Sequence, residues 1–236
     1  MIFMSLTSIF DFLFYEPILK ALTIIQSIIP GHDFGWAVII LTILIRILLW
    51  PLASKSIKSQ KALQELQPEM SAIKEKFKDQ KEKQAQAMME LYKNKKINPV
   101  SGCLPVLIQF PILIALYYAL MEGLAAHDIN TNFMFLGILD LTQKSIVLAI
   151  LTGILQYYQT KMIMVTKKEV KEKAIQIKKT DSPGDFSQIM NKQMLYVMPF
   201  VMAFVAFSLP AGIALYLAIT TAFSIVQQHW TMKKPN

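Results

Sequence analysis

Charged residues are scarce in this chain and are absent from long parts of it. They make up 17% of the 236 residues, against about 25% in an average soluble domain, whereas hydrophobic residues make up 54%. The single cysteine, Cys103, excludes a disulfide framework and a cysteine-based metal cluster. Of the 24 basic residues only one, Arg46, is an arginine. The lysines lie in blocks rather than along a face with aromatics between them, which argues against a DNA-binding protein.

Five predominantly apolar runs approach the length of about 20 residues that a helix needs to cross a bilayer. We therefore predict an all-α, polytopic membrane protein with a single membrane domain over residues 1–236. The predicted transmembrane helices are 34–53, 104–121, 145–165, 194–209 and 211–230. The last two are joined at Pro210, a turn so short that they must run antiparallel.

The lysine blocks predict the orientation, because basic residues in short loops mark the cytoplasmic side. Segments 54–98 and 161–192 are rich in lysine, whereas the loop 122–143 has neither Lys nor Arg. The N-terminus is then outside, and the tail 231–236 is cytoplasmic. The loop 166–192, with Ser, Pro and Gly among its charges, is expected to be flexible.

Residues 1–33 are apolar but are interrupted by Asp11, Glu16 and Lys20. We expect an extracytoplasmic interfacial helix there. Insertion across the bilayer, or processing of this segment, are the alternatives.

The segment 54–98 has apolar residues at helical spacing and predicts a cytoplasmic helical hairpin. Pro68 is expected to interrupt its first arm, and Pro99 follows the end of the second. Asp79 and Glu82 have capping-box spacing, so a helix is expected to begin near Asp79.

Arg46 is a cation within an apolar run, about 10 Å of helix rise from the cytoplasmic end of that run. An arginine near a bilayer centre costs about 2.5 to 3.5 kcal/mol, so such residues normally face protein or water. The simplest alternative is that its side chain snorkels to the headgroups. The five runs contain no Asp or Glu to pair with it. If it does not snorkel, its charge is available to a ligand.

Uncharged polar residues in the runs are candidates to line a wet cavity around Arg46, although each taken singly is more typical of a hydrogen bond between helices. Thr42 and Trp50 lie one turn on either side of Arg46. The candidate groove residues are Arg46, Thr42, Gln109, Gln156, Thr220 and Ser224. Catalytic, metal-binding and nucleotide-binding signatures are absent, so we expect neither an enzyme nor a cofactor.

Four segments in order resemble the YidC-type membrane protein insertases. The first, ILIRILLWPL (43–52), is similar to the family's first core helix with its groove arginine. The others are LQPEM (66–70), MMELYKNKKINPVSGCLPVLIQFPILIALYYAL (88–120) and LPAGIALYLAITTAFSIVQQ (209–228). Two departures are Leu217, where the family often has Trp, and Thr220 with Thr221, near where Asn is common.

The resemblance implies an insertase and foldase in the bacterial inner or plasma membrane, working without nucleotide hydrolysis. Its groove, open to the cytoplasm, would receive hydrophilic segments of nascent membrane proteins and release their hydrophobic helices into lipid. The implied partners are nascent membrane proteins and the bilayer, with the ribosome, targeting factors and a translocon as further candidates. The lysine-rich hairpin is equally suited to anionic lipid. The competing interpretation is a small channel or transporter for an anionic solute.

Overall fold

The computed structural model describes residues 8–102, 104–125, 132–165 and 185–233, which are mostly helical. The predicted helical character is confirmed, whereas the five transmembrane helices remain a prediction. Cys103, most of the predicted loop 166–192, the end of the tail and the first residues lie outside the described residues. The helices are α1 (Glu16–Ile28), α2 (Phe34–Leu48), α3 (Trp50–Glu65), α4 (Gln67–Lys76), α5 (Lys81–Asn94), α6 (Leu104–Ala125), α7 (Ile146–Val165), α8 (Asp185–Ser208) and α9 (Ala211–Lys233).

A π-helical turn, Asp11–Tyr15, leads into α1, which packs against α2 and α6. Ile18 and Leu22 of α1 are buried there. The opposite side of this segment is apolar and exposed, as at Phe12 and Ile28. Glu16 and Lys20 pair with each other at 3.1 Å on the surface. The segment therefore has one face for the protein and another that is suited to lipid.

The predicted span 34–53 is divided into α2 and α3, which meet at an angle of 67°. Pro51 explains the break, because it has no N–H to donate to the carbonyl four residues earlier. Arg46 consequently lies in the last turn of α2. The depth expected from a straight helix does not apply, since the chain changes direction soon after Arg46.

The lysine-rich segment forms α3, α4 and α5. As expected, the helix is interrupted near Pro68: α3 ends at Glu65, and Pro68 lies in the first turn of α4. The expected capping box is not formed, because α5 begins at Lys81 and Gln80 precedes it without a side-chain cap. A salt bridge of 2.8 Å between Lys95 and Glu69 joins the two arms.

Two helices of the described residues are long and apolar enough to cross a bilayer singly, within Pro99–Glu122 and Ala211–Lys233. The bent pair α2 and α3 would make a third span if it crosses as one. The helix α7 packs most extensively on α8, then on α9. At Gly153 a Cβ would lie 3.0 Å from the Cβ of Ala203, so α7 and α8 pack closely there.

The turn at Pro210 between α8 and α9 is as short as predicted. The N–H groups of Ala211 and Gly212 donate to the Gln143 and Leu141 carbonyls, at 2.7 and 2.9 Å. A Cβ on Gly212 would lie 3.4 Å from a Leu120 methyl group. The glycine thus lets neighbouring segments approach the start of α9 closely.

The loop predicted to be extracytoplasmic contains a small antiparallel hairpin, β1 (Met134–Phe135) and β2 (Leu139–Asp140). It is held on the first residues of α2 by backbone hydrogen bonds of Asn132 with His32 and Phe34, at 3.2 and 3.0 Å, and by the side chain of Asp33. One carboxylate oxygen accepts hydrogen bonds from the Gly35 and Trp36 N–H groups at 2.8 and 3.4 Å, and the other accepts from Leu136 N–H at 3.1 Å. The ring of Phe135 occupies the space beside Gly35.

Candidate functional site

Arg46 occupies a half-buried position where α2, α6 and α9 come together. Its Nη2 donates a hydrogen bond of 3.1 Å to Oε1 of Gln109 on α6. Nε2 of Gln109 in turn donates to the hydroxyl of Tyr216 on α9 at 2.7 Å. One chain of hydrogen bonds therefore joins three helices.

No carboxylate pairs with Arg46 in the part of the chain that the structure describes. Lys20 with Glu16 and Lys95 with Glu69 form salt bridges on the surface, away from Arg46 in the sequence. The partner of the guanidinium is thus a neutral amide, which leaves its positive charge uncompensated by any described acidic side chain.

A cleft of about 300 Å³, a volume that includes space open to solvent, lies beside this guanidinium. Side chains from the end of α2, the start of α3 and the start of α6 form its walls. They belong to Arg46, Leu49, Leu52, Ala53, Pro105, Ile108 and Gln109. The walls are apolar apart from Arg46 and Gln109. The cleft therefore combines one cation and one amide with a largely hydrophobic lining.

Thr42 lies one turn before Arg46 but is buried, and its hydroxyl donates to the Val38 carbonyl at 2.6 Å. It lines a second, smaller space together with Tyr216 and apolar residues of α1, α2 and α6. Trp50 does not continue the face of Arg46, because the bend intervenes. Its ring instead makes edge contacts with Phe223 and Trp230 of α9.

Thr220 and Ser224 follow Tyr216 along α9. Thr220 is buried beside Tyr216, one turn further along α9. Ser224 donates to the Thr220 carbonyl at 2.8 Å. Gln156 is half-buried on α7, and its backbone carbonyl accepts a hydrogen bond from Thr160. Of the predicted groove residues, the structure thus brings Arg46 and Gln109 into direct contact.

Tyr216 was not among the residues predicted for the site, yet it is the third member of the hydrogen-bonded chain. A signal was present in the sequence, because Tyr216 lies one turn before Thr220 on an otherwise apolar stretch of α9. An amphipathic aromatic side chain at such a place usually finds a hydrogen-bond partner.

A second polar cluster holds the bend between α2 and α3. The amide of Gln227, a fully buried residue of α9, donates to the Trp50 carbonyl at 3.0 Å and to the Ser54 hydroxyl at 3.2 Å. Since Leu52 and Ala53 line the cleft, this cluster sets the position of one of its walls. The described residues contain no group of three or more His, Cys, Asp or Glu side chains suited to a metal ion.

Comparison with known proteins shows similarity over nearly the whole chain. Membrane protein insertase YidC of Aeromonas salmonicida (strain A449) is 36% identical over 215 residues, which is 90% of this chain and 35% of that protein. The Syntrophus aciditrophicus (strain SB) protein of the same name is 38% identical over 92% of this chain and 36% of its own length. The chain thus spans about a third of the length of these two relatives.

A relative of comparable length exists in Fusobacterium nucleatum subsp. nucleatum. This Membrane protein insertase YidC is 34% identical over 202 residues, which cover 86% of this chain and 87% of that protein. In addition, the family model described as 60Kd inner membrane protein matches residues 24–236. The resemblance to YidC-type insertases is therefore confirmed, and the chain belongs to the 60Kd inner membrane protein family.

Proposed function

We propose that this chain is a membrane protein insertase and foldase of the bacterial inner or plasma membrane. The observation that carries the proposal is the cleft beside Arg46, in which a half-buried cation is held by a neutral amide and no described carboxylate neutralises it. The names of the relatives, which describe them as membrane protein insertases, support the same role.

In the proposed topology the chain crosses the bilayer five times, with the N-terminus outside and the C-terminus in the cytoplasm. The spans are α2 with the first residues of α3, then α6, α7, the apolar part of α8, and α9. The segment that contains α1 lies at the outer interface, and its exposed apolar face meets lipid. The rest of α3, together with α4 and α5, forms the cytoplasmic hairpin over residues 54–98. This arrangement is supported by the lysine distribution, because basic residues favour the cytoplasmic side.

Arg46 attracts an acidic, hydrophilic segment of a nascent membrane protein into the cleft. Opposite unit charges 4 Å apart attract by about 1 kcal/mol in water and about 4 kcal/mol at an effective dielectric constant of 20. Polar groups held in such a cleft have less hydrocarbon to cross, which lowers the barrier that unsatisfied backbone groups impose. Arg46 is therefore the residue that we expect to dominate substrate capture.

The remaining predicted groove residues contribute less in the conformation described. Thr42 and Thr220 are buried, so a substrate reaches them only if α2 or α9 moves. Ser224 and Gln156 are half-buried and contact the substrate beyond the cleft.

Insertion needs no nucleotide in this mechanism. The substrate's own transmembrane helix leaves the cleft laterally and enters lipid. Burial of its apolar surface supplies about 25 cal/mol per Å². The apolar walls formed by Leu49, Leu52 and Ile108 offer this helix a path without a polar barrier.

The partners are nascent membrane proteins and the lipid bilayer. The ribosome, targeting factors and a translocon are further candidates, because the lysine-rich helices α3 to α5 present positive charge to anionic RNA. Anionic lipid headgroups would be attracted by the same charge.

Reconstitution into proteoliposomes tests the proposal, with a single-span substrate that has an acidic N-terminal tail. Arg46→Ala should slow its insertion by about fivefold or more, the factor that corresponds to 1 kcal/mol. Arg46→Lys should retain most of the activity because it keeps the charge. Lys144→Ala is the control, because it removes a cation that does not line the cleft and that contacts the Phe207 ring instead.

Full activity of the Arg46→Ala variant on this substrate would refute the electrostatic mechanism. Anion flux through the proteoliposomes without insertion would refute the insertase role and favour the transporter.

A further inference from the structure

We infer that Gln109 is a positioning residue for Arg46, which it anchors beside the cleft without cancelling its charge. The inference rests on the proposed function and concerns how the charge of Arg46 is positioned and preserved at the same site. It assigns distinct tasks to three residues: Arg46 meets the substrate, Gln109 holds Arg46, and Tyr216 holds Gln109.

The chemistry of the side chains determines the direction of this chain of hydrogen bonds. Guanidinium has only donors, so the atom of Gln109 that faces Arg46 must be the amide oxygen. The amide nitrogen then faces Tyr216, whose hydroxyl accepts its hydrogen bond. Because α6 supplies the amide and α9 the tyrosine, Gln109 is held at both ends.

Tyr216 is a rigid anchor for this arrangement. It is 3% exposed and belongs to the part of α9 where most residues are buried. Gln109 itself is only half-buried and lines the cleft. Without the tyrosine hydroxyl, the amide would be free to rotate toward the solvent in the cleft and to release Arg46.

Because the amide of Gln109 is neutral, the positive charge of Arg46 stays available to a substrate. A glutamate in place of Gln109 would accept from the guanidinium as a carboxylate, and such ion pairs are stronger and frequently bidentate. The cation would then be neutralised within the protein. An apolar residue of the same length at position 109 would leave a guanidinium donor without its partner. The long side chain of Arg46 would then turn toward the headgroups. A neutral acceptor both fixes the cation and preserves its charge.

Two variants of nearly equal size separate these tasks. Gln109→Glu keeps an acceptor for Arg46 and adds a charge, whereas Gln109→Met removes the acceptor and adds none. Each is reconstituted into proteoliposomes with two single-span substrates that differ only in an acidic or a neutral N-terminal tail. The quantity measured is the ratio of their insertion rates, so a general loss of folding or activity cancels.

Gln109→Glu should lower the acidic-to-neutral ratio about fivefold, to the value of the Arg46→Ala variant, while the thermal stability in detergent is unchanged or higher. Gln109→Met should lower the ratio less and also lower the thermal stability. Tyr216→Phe should resemble Gln109→Met. In the Arg46→Ala background, Gln109→Met should leave the ratio unchanged, because Gln109 acts through Arg46.

A Gln109→Glu variant that keeps the wild-type ratio would overturn the inference, provided that Arg46→Ala lowers the ratio in the same assay. An effect of Gln109→Met that persists undiminished in the Arg46→Ala background would also overturn it. If Arg46→Ala itself leaves the ratio unchanged, the proposed electrostatic capture fails instead. The two failures are thus distinguishable.

Discussion

Removal of the Asp33 carboxylate should weaken the attachment of the β1–β2 hairpin to the first residues of α2, leaving the backbone hydrogen bonds of Asn132 with His32 and Phe34. The side chain is nearly buried and accepts two N–H hydrogen bonds at the start of that helix. Loss of such a helix cap costs about 1 kcal/mol. The bond from Leu136 N–H is charge-assisted and is worth about 1.5 to 3 kcal/mol. We therefore expect Asp33→Ala to destabilise the protein by about 2.5 to 4 kcal/mol.

Asp33→Asn should cost less, because its single amide oxygen can still cap α2 but cannot also serve Leu136. The assay is thermal unfolding of the purified protein in detergent, combined with limited proteolysis of the segment 132–140. A change of 1 kcal/mol shifts Tm by about 2 to 4 °C at this chain length, so the alanine variant should lose about 5 °C or more. Cleavage in 132–140 should increase in the same order, with alanine above asparagine.

Asp11→Ala is the control, since Asp11 is an exposed acidic residue near the N-terminus and should change Tm little. Equal Tm values for wild type and Asp33→Ala would refute the reasoning. So would a loss of Tm in Asp33→Ala without any increase of cleavage in 132–140, because the carboxylate would then not be what holds the hairpin.

Two further predictions concern packing and the bend. Gly153→Leu should destabilise the protein by about 1 to 3 kcal/mol, because a Cβ would already lie 3.0 Å from that of Ala203. Thermal unfolding in detergent checks this against Ile154→Leu at an exposed neighbour, and equal stability of the two variants would contradict it. Gln227→Leu should loosen the bend between α2 and α3, since the Trp50 carbonyl loses a buried donor worth about 1 to 3 kcal/mol. The distribution of spin-label distances between α3 and α9 should broaden. An unchanged distribution would contradict the role of Gln227 in holding the bend.

The helical architecture was largely predictable from the sequence. Local chemistry was sufficient to predict the helices from the continuous apolar runs and from the helical spacing of apolar residues in the charged segment. It was also sufficient to predict the interruption near Pro68. The bend at Leu49 was missed, although Pro51 was visible in the sequence. A proline near the end of an apolar run is compatible both with one helix that continues and with a second helix that begins there. The side-chain contacts of Gln227 and Trp230 with the bend come from a helix near the other end of the chain.

The candidate site was predicted in part. Gln109 was identified as polar among apolar neighbours, and the structure places it against Arg46. Thr42 was predicted because it lies one turn before Arg46, but its hydroxyl is satisfied by its own helix. Tyr216 was missed, because its apolar ring fits a transmembrane helix and conceals the role of its hydroxyl. Polarity alone does not distinguish a side chain that faces a cleft from one that bonds within its helix.

The sequence by itself determined that Arg46 stands in an apolar run without an acidic residue in any of the five runs, since composition and position along the chain are sufficient for that statement. Only the tertiary structure decided what holds it. Gln109 lies 63 residues away and Tyr216 a further 107, so their hydrogen bonds exist only when α2, α6 and α9 pack together. A charge is a property of one residue, whereas a hydrogen bond depends on the relative position of two.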